Sequence, residues 1–169
     1  MIDPSYCQLM ANYNQWMNSR MYALCAQLDE QELLAPRGLF FESIYLTLNH
    51  IMYGDQAFMA RFKRTGEYPA AIGDELYSGF AELHRARQAF DQQLIDWSAE
   101  LSQQWLKETL SYTSKVDNKP RTVEHWILVT HLFNHQTHHR GQVTTALSQL
   151  GQDMGSTDIP FMPGVGTSG

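Results

Sequence analysis

Apolar residues recur at steps of three and four along much of the chain, which is the spacing of helices with one buried face. The first such stretch predicts a helix over residues 4–28, which begins with the cap residue Asp3 and the first-turn residue Pro4. A second helix is predicted over about 42–64, and a third over 74–97. Together these three helices take up the first part of the chain.

The remaining sequence predicts one more long helix and two irregular segments. Residues from about 123 to 150 are predicted to be a helix with Thr122 as its N-cap and Gly151 as the residue just beyond its end. Residues 98–121 alternate weakly and contain a turn signal, which predicts a short hairpin. The tail, residues 153–169, is rich in Gly, Ser, Thr and Pro and is predicted to be non-helical.

Four long helices without an internal repeat indicate a simple architecture. A length of 169 residues suits one domain. We therefore expect a single all-α domain over residues 1–169, a four-helix bundle with a short irregular or hairpin insert between helices 3 and 4. Ile159, Phe161 and Met162 are expected to dock the tail onto this bundle.

Composition and charge exclude several classes of protein. Hydrophobic residues make up 43% of the chain and charged residues 18%, which excludes a disordered chain. Lys and Arg total 12 against 18 Asp and Glu, for a net charge of −6, and no block of five like charges occurs, so nucleic-acid binding is disfavoured. Because charged residues are few and two-fold assemblies are common, we expect a homodimer. Its expected substrate is a small molecule.

Cysteine usage and hydropathy bear on location. Cys7 and Cys25 fall on the first predicted helix, where their separation of about 27 Å rules out a disulfide. The N-terminus lacks the charged and apolar regions of a signal peptide, and no apolar run approaches the length of about 18 residues needed for a membrane span. A cytoplasmic location without membrane partners is expected.

Histidine is concentrated in the fourth predicted helix, which holds five of the seven histidines of the chain. On a helical wheel, the apolar stripe of this helix passes through His135 and His139, while His131 and His138 lie on its flank. Two imidazoles four residues apart can converge on one ion, and a third ligand is expected from a neighbouring helix. His50 is the best candidate because it lies in an apolar stretch.

Spacing alone leaves a second interpretation open. A buried histidine is often a core residue that donates a hydrogen bond to a backbone carbonyl, and this HxxxH pair lacks the Glu of the HExxH motif. An imidazole buried without any partner would cost about 1 to 3 kcal/mol, a cost that a shared metal ion removes. His84, in a charged segment, and His125, in a first helical turn, are less suitable ligands.

Three segments of the chain, in order, form a recognisable combination. Residues 134–142, NHQTHHRGQ, contain the pattern HxxxHRGQ. Residues 13–18, YNQWMN, match YNxWxN, and residues 48–51 with Asp55 match LxHxxxxD. This combination resembles the DinB family (DinB/YfiT-like metalloenzymes), over about residue 6 to the end of the fourth helix.

The resemblance implies a fold, a site and a chemistry. It implies an up-down-down-up four-helix bundle in which His50, His135 and His139 hold a divalent metal ion. Relatives include thiol transferases that use bacillithiol or mycothiol and a thiol-dependent maleylpyruvate isomerase, so the implied activity is S-transferase-like, with a low-molecular-weight thiol. The sequence has no cysteine near the motif that would narrow the choice of metal. Nickel, zinc, iron and manganese therefore all remain open.

Two alternative functions remain. A metal-dependent hydrolase would need a general base, for which Asp55 and Asp158 are candidates, although Asp55 lies about 140° around the helix from His50. His131 and His138 are candidates for proton carriers or for groups that orient the metal ligands. The other alternative is a non-catalytic stress-response metal-binding protein.

The three residues after His139 also have expected roles. Gly141 would permit the close approach of a neighbouring helix. Arg140 would pair with a carboxylate, and Gln142 would contact a ligand.

Overall fold

The computed structural model describes residues 1–66, 68 and 70–166. It is mostly helical and has one small antiparallel sheet of two strands. In chain order, the elements are α1 Pro4–Cys25, α2 Glu30–Leu34, α3 Ile44–Phe62, α4 Phe80–Ala99, α5 Gln103–Lys107, β1 Thr109–Thr113, β2 Pro120–Glu124, α6 His125–Gln149 and the 3₁₀ helix Ile159–Phe161.

The first two long helices begin where side chains cap them. The Asp3 carboxylate accepts a hydrogen bond from the Tyr6 backbone N–H, and Pro4 opens α1 as predicted. Ser43 caps α3 in the same way, through the Leu46 N–H. Both helices end two or three residues before the predicted limits, and α2 is a short helix that the periodicity did not indicate.

Helix α4 starts at Phe80, six residues later than predicted. Asp74, the predicted start, instead accepts a hydrogen bond from the Ala71 N–H in a turn. Gly79, with φ of 138°, turns the chain immediately before the helix, in a conformation that favours glycine.

The segment between the long helices α4 and α6 contains the predicted hairpin. Strands β1 and β2 pair in antiparallel register, with Ser111 opposite Thr122, and the short helix α5 precedes them. The prediction of Thr122 as the N-cap of the last helix is therefore wrong. Its backbone belongs to a strand, its hydroxyl lies 2.8 Å from that of Ser111, and α6 begins only at His125.

The end of α6 agrees with the sequence. Gly151 has φ of 77°, its N–H donates to the Ser148 carbonyl, and the Gln152 N–H donates to the Leu147 carbonyl. This is a Schellman motif, and it needs a residue that tolerates a left-handed backbone.

The tail packs beside α1. Met154 and Met162 are buried in the core, and Ile159 packs against it. Phe161 is 67% exposed, so the expectation that it docks the tail is wrong. The Arg20 guanidinium donates to the carbonyl of Ser156 and so fixes the tail to α1.

The long helices pack in a closed cycle. Helix α1 lies against α4 and α6, and α3 also lies against α4 and α6. Cys7 and Cys25, at opposite ends of α1, are buried and unpaired. Among the described residues, no helix is both long and apolar enough to cross a membrane. The α3–α6 contact determines where the histidines meet.

Candidate metal centre

Three histidines from two helices meet where α3 packs on α6. The Nε2 atoms of His50 and His135 lie 3.0 Å apart, and each of the three rings offers one nitrogen within 4.8 Å of the others. The side chains of His50 and His139 are 8% and 7% exposed, while His135 is half-buried. The nitrogen atoms are therefore close enough to share one ion.

A glycine on α3 makes room for this arrangement. Gly54 follows His50 by one helical turn, on the same face of α3. A Cβ atom at Gly54 would lie 2.7 Å from Cε1 of His135 and 3.1 Å from its Nδ1. Only glycine therefore lets the His135 ring approach α3 closely enough to meet His50.

Two further side chains hold the rings in place. The Nδ1 atom of His139 lies 2.8 Å from Oε1 of Gln142, and because that oxygen can only accept, Nδ1 carries the proton and Nε2 is left free to bind a cation. The ring of Phe41 stacks on His50 with centroids 3.7 Å apart. Glu42, with φ of 64°, turns the chain directly after Phe41.

Burial keeps the histidines neutral. It lowers the pKa of His50 to about 4, with a smaller contribution from the nearby His139. Burial, followed by the charges of His139 and His50, lowers the pKa of His135 to about 3. Burial also lowers the pKa of His139. Neutral imidazoles present the lone pairs that metal binding requires.

The arrangement of donor atoms fits a divalent ion. Two ligands at 2.0 to 2.1 Å from a tetrahedral ion lie about 3.3 Å apart, so the 3.0 Å between His50 and His135 needs only a small outward shift. Both Nδ1 atoms of this pair are buried without a hydrogen-bond partner among the described residues. Without a shared cation, one hydrogen bond between the two Nε2 atoms is the only one that either ring makes among the described residues.

The three histidines open onto a cavity of about 640 Å³. Its surface is mainly apolar, with Phe41, Tyr53, Ala57 and Phe58 among the lining residues. Among residues 1–66, 68 and 70–166, no Asp or Glu contributes to the lining. A molecule of moderate size can therefore reach the histidines along a mainly apolar surface.

Comparison with known proteins identifies the family. The model of the DinB family matches residues 1–165 of the 169-residue chain. The chain belongs to the DinB family. Among curated proteins, the comparison found no match. Membership of the DinB family agrees with a metal-binding protein, since the three histidines of its motifs lie together here.

The other histidines of this DinB protein divide into two groups. His131 and His138 line the cavity and are both partly open to solvent. Removal of the covered part of His131 from water, followed by the positive charge of Arg61, lowers the pKa of His131. His125 and His84 lie elsewhere. The His125 ring stacks on Trp105 at 3.9 Å, and its Nδ1 lies 2.8 Å from the Trp105 carbonyl oxygen.

The two carboxylates considered as general bases lie away from the cavity. Asp55 is fully buried and accepts hydrogen bonds from Arg87 at 2.5 Å and from Gln136 at 2.7 Å. Asp158 is exposed and does not belong to the cavity lining. The geometry therefore gives neither residue access to a reacting group beside the histidines.

Two expectations for the HRGQ segment of the DinB motif are wrong. Arg140 is buried, and its guanidinium donates to Asn14 and Gln136 rather than to a carboxylate. Gly141 faces open space, since a Cβ there would contact nothing within 4 Å. The close approach occurs at Gly54 instead.

Sequence reasoning missed Gly54, Phe41 and the buried Arg87. Gly54 had a usable signal, a glycine inside an apolar helix one turn after a candidate ligand. Arg87, which pairs with Asp55 and Asp91, occurs in a polar stretch that suggests a solvated face. Phe41 lies in a loop, where no periodicity shows which way a side chain points.

Proposed function

We propose that this DinB protein binds a divalent metal ion through His50, His135 and His139 and uses it as an enzyme, in S-transferase-like chemistry with a low-molecular-weight thiol. The observation that carries the proposal is the convergence of three neutral imidazoles at a cavity with apolar walls. The same proposal includes the up-down-down-up order of the four long helices that place these residues.

A catalytic site is favoured over a structural one. Structural zinc sites are closed by four protein ligands, whereas catalytic sites use three and keep one position open. The described residues supply three histidines and no fourth His, Cys, Asp or Glu in the same group. The open side of the group faces the cavity.

The lining of the cavity favours thiol transfer over hydrolysis. A bound divalent ion would lower the pKa of a thiol beside it, so that a thiolate is present near neutral pH. The cavity walls are mainly apolar, and His131 and His138 line the cavity, where either could accept the proton that the thiol loses. Within the described ranges no carboxylate faces the cavity, so a hydrolase would have to use a histidine as its general base.

A metal-dependent hydrolase remains the second candidate because one observation favours it. His131 lines the cavity and has a lowered pKa, so it can accept a proton from water at neutral pH. A non-catalytic metal-binding role is the third candidate. It would use the same three ligands without turnover.

Metal content and turnover test the proposal together. Protein loaded separately with Ni²⁺, Zn²⁺, Fe²⁺ or Mn²⁺ is expected to retain about one ion per chain, as three ligands in one group imply. His139→Ala should lose the ion, while the control His84→Ala, a histidine outside the group, should keep it. Retention of the ion by His139→Ala would overturn the assigned site.

For turnover, metal-loaded protein is incubated with a panel of thiols and an activated chloroarene. In the expected reaction, the thiolate sulfur bonds to the ring carbon, chloride leaves with its electron pair, and the thiol proton passes to a base. Thioether formation that depends on His139 supports thiol transfer. Products that form without any thiol favour the hydrolase, and unchanged reactants with full metal content favour the non-catalytic role.

A further inference from the structure

The cavity beside the histidines has a charge opposite to that of the whole protein. The chain carries a net charge of −6. The charged residues that line this cavity, however, are Arg61 and Lys115, and no acidic residue of the described ranges lines it. A cationic cavity in an anionic protein attracts anions from solution.

Nearby acidic groups are already engaged. On the hairpin turn, the Asp117 carboxylate lies 2.5 Å from the guanidinium of Arg121. Glu75 accepts a hydrogen bond from the hydroxyl of Tyr45. Neither of these two carboxylates forms an ion pair with Arg61.

Arg61 is held between two aromatic rings. Its guanidinium carbon lies 5.1 Å from the ring centre of Phe58 and 4.9 Å from that of Tyr112. No carboxylate among the described residues pairs with it, in contrast to Arg87, whose guanidinium contacts two. An arginine stacked in this way is oriented, and its planar N–H groups are ready to bind an anion in bidentate fashion.

A continuous aromatic surface connects Arg61 to the candidate metal ligands. The ring of Phe58, which Arg61 covers, lies 5.1 Å from the ring of His131. The His131 ring in turn lies 5.8 Å from that of His135. A molecule that lies along this surface would place one end at Arg61 and the other at the histidines.

The second cation of the cavity comes from the hairpin. The Nζ atom of Lys115 donates to the backbone carbonyls of Tyr68, at 2.5 Å, and Ala70, at 3.1 Å. An ammonium group has three donors, so one remains for a ligand.

The cavity mouth is apolar although it is open to solvent. Phe40, Ile72 and Val116 line the cavity and are 79%, 44% and 85% exposed. They come from three different connecting segments of the chain. Exposed apolar groups gathered around one opening suit a ligand with an apolar body.

We propose that the substrate of this cavity is an organic anion, with an apolar body against the aromatic wall and an acidic group bound by Arg61. This proposal rests on the proposed function, because it places the reacting end of the anion at the three histidines. Arg61 thereby makes the cavity select anionic molecules over neutral ones of the same shape.

Binding of a matched pair of probes tests the proposal. The probes are 4-phenylbutyrate and its neutral amide, titrated calorimetrically into wild type, Arg61→Gln and Arg85→Gln. Arg85 is an exposed arginine of α4 outside the cavity, so Arg85→Gln makes the same change in net charge. Each protein is measured after loading with Ni²⁺ and again after treatment with EDTA.

Wild type and Arg85→Gln are expected to bind the carboxylate at least about tenfold more tightly than the amide, the size of one charge-assisted contact. Arg61→Gln should lose most of this preference, so that only the part due to Lys115 remains, and it should keep its nickel. Equal binding of the two probes by wild type would overturn the proposal. A preference for the carboxylate that is as large in Arg61→Gln as in wild type would also overturn it, because Arg61 would then not bind the acidic group.

The metal measurements separate this proposal from the preceding one. If wild type retains no nickel but still prefers the carboxylate through Arg61, the metal site is wrong and the anion site is supported. If nickel is retained and the preference is absent, the metal site stands and the anion site is wrong.

Discussion

The ring of His135 occupies the space that a side chain at Gly54 would fill. A Cβ atom at Gly54 would lie 2.7 Å from Cε1 of His135, a distance that forces one of the two to move. The absence of a side chain on α3 thus determines the position of a ring on α6, and through it the distance between His135 and His50.

Gly54→Ala is therefore expected to weaken metal binding. The added methyl displaces the His135 ring from His50, and misplacing a ligand in this way typically costs about 10- to 100-fold in metal affinity. Isothermal titration with Ni²⁺ measures the effect.

Gly141→Ala is the matched control, a glycine of α6 whose Cβ would meet nothing within 4 Å. Because alanine favours helix more than glycine does, this variant should raise the free energy of unfolding by up to about 1 kcal/mol and keep metal affinity unchanged. Equal metal affinities in the two variants would contradict the steric argument for Gly54.

The contrast between these two glycines shows what the sequence could and could not predict. The helical period placed His135 and His139 on one face of α6, and the apolar neighbours of His50 indicated the third histidine. Which glycine lies under a ring depends on how α3 packs on α6, and the periodicity of a single helix does not contain that information.

The helix boundaries likewise separate into those that local sequence predicts and those that depend on contacts with other parts of the chain. Gly151 marks the end of α6 through backbone conformation, which is a local property. Thr122 has the side chain of a good N-cap but pairs with Ser111 in a strand, because the hairpin brings a second chain segment beside it. Arg140 and Arg87 are buried because each finds a partner on another helix, Asn14 on α1 for Arg140 and Asp55 on α3 for Arg87.

Gln142 is expected to matter for metal affinity although it binds no metal. Its Oε1 accepts the proton of His139 Nδ1 at 2.8 Å and so selects the tautomer whose Nε2 is free. Gln142→Leu removes this acceptor, and we expect metal affinity to fall by about 10-fold or more. Gln149→Leu, at an exposed position near the end of the same helix, is the control and should bind metal normally.

The buried carboxylate of Asp55 is expected to stabilise the fold. It accepts hydrogen bonds from Arg87 on α4 and Gln136 on α6, so Asp55→Ala leaves Arg87 with only Asp91 as a partner. Loss of one member of a buried network of this kind should lower the free energy of unfolding by about 3 kcal/mol.

Urea denaturation measures the effect of Asp55→Ala. Asp117→Ala breaks the exposed contact with Arg121 and should leave the denaturation midpoint nearly unchanged. If the two variants unfolded at the same urea concentration, the Asp55 network would have no special role in stability.

The histidine cluster should make the metal-free protein sensitive to acid. Burial lowers the pKa of His50 to about 4 and that of His135 to about 3, whereas in the unfolded chain a histidine titrates near 6.5. At pH values between the lowered pKa of each folded histidine and about 6.5, the unfolded state binds protons that the folded state does not. Stability therefore falls as the pH drops below about 6.5, and it continues to fall until the folded protein is protonated too.

Denaturation of the metal-free protein at a series of pH values measures this slope, which is about 1.4 kcal/mol per pH unit for each differing proton. His50→Gln should flatten the slope by removing one such proton. Gln149→Leu, an exposed substitution on the same helix that removes no titratable group, should leave the slope as in wild type. A slope that His50→Gln does not change would mean that His50 is not held neutral in the folded protein.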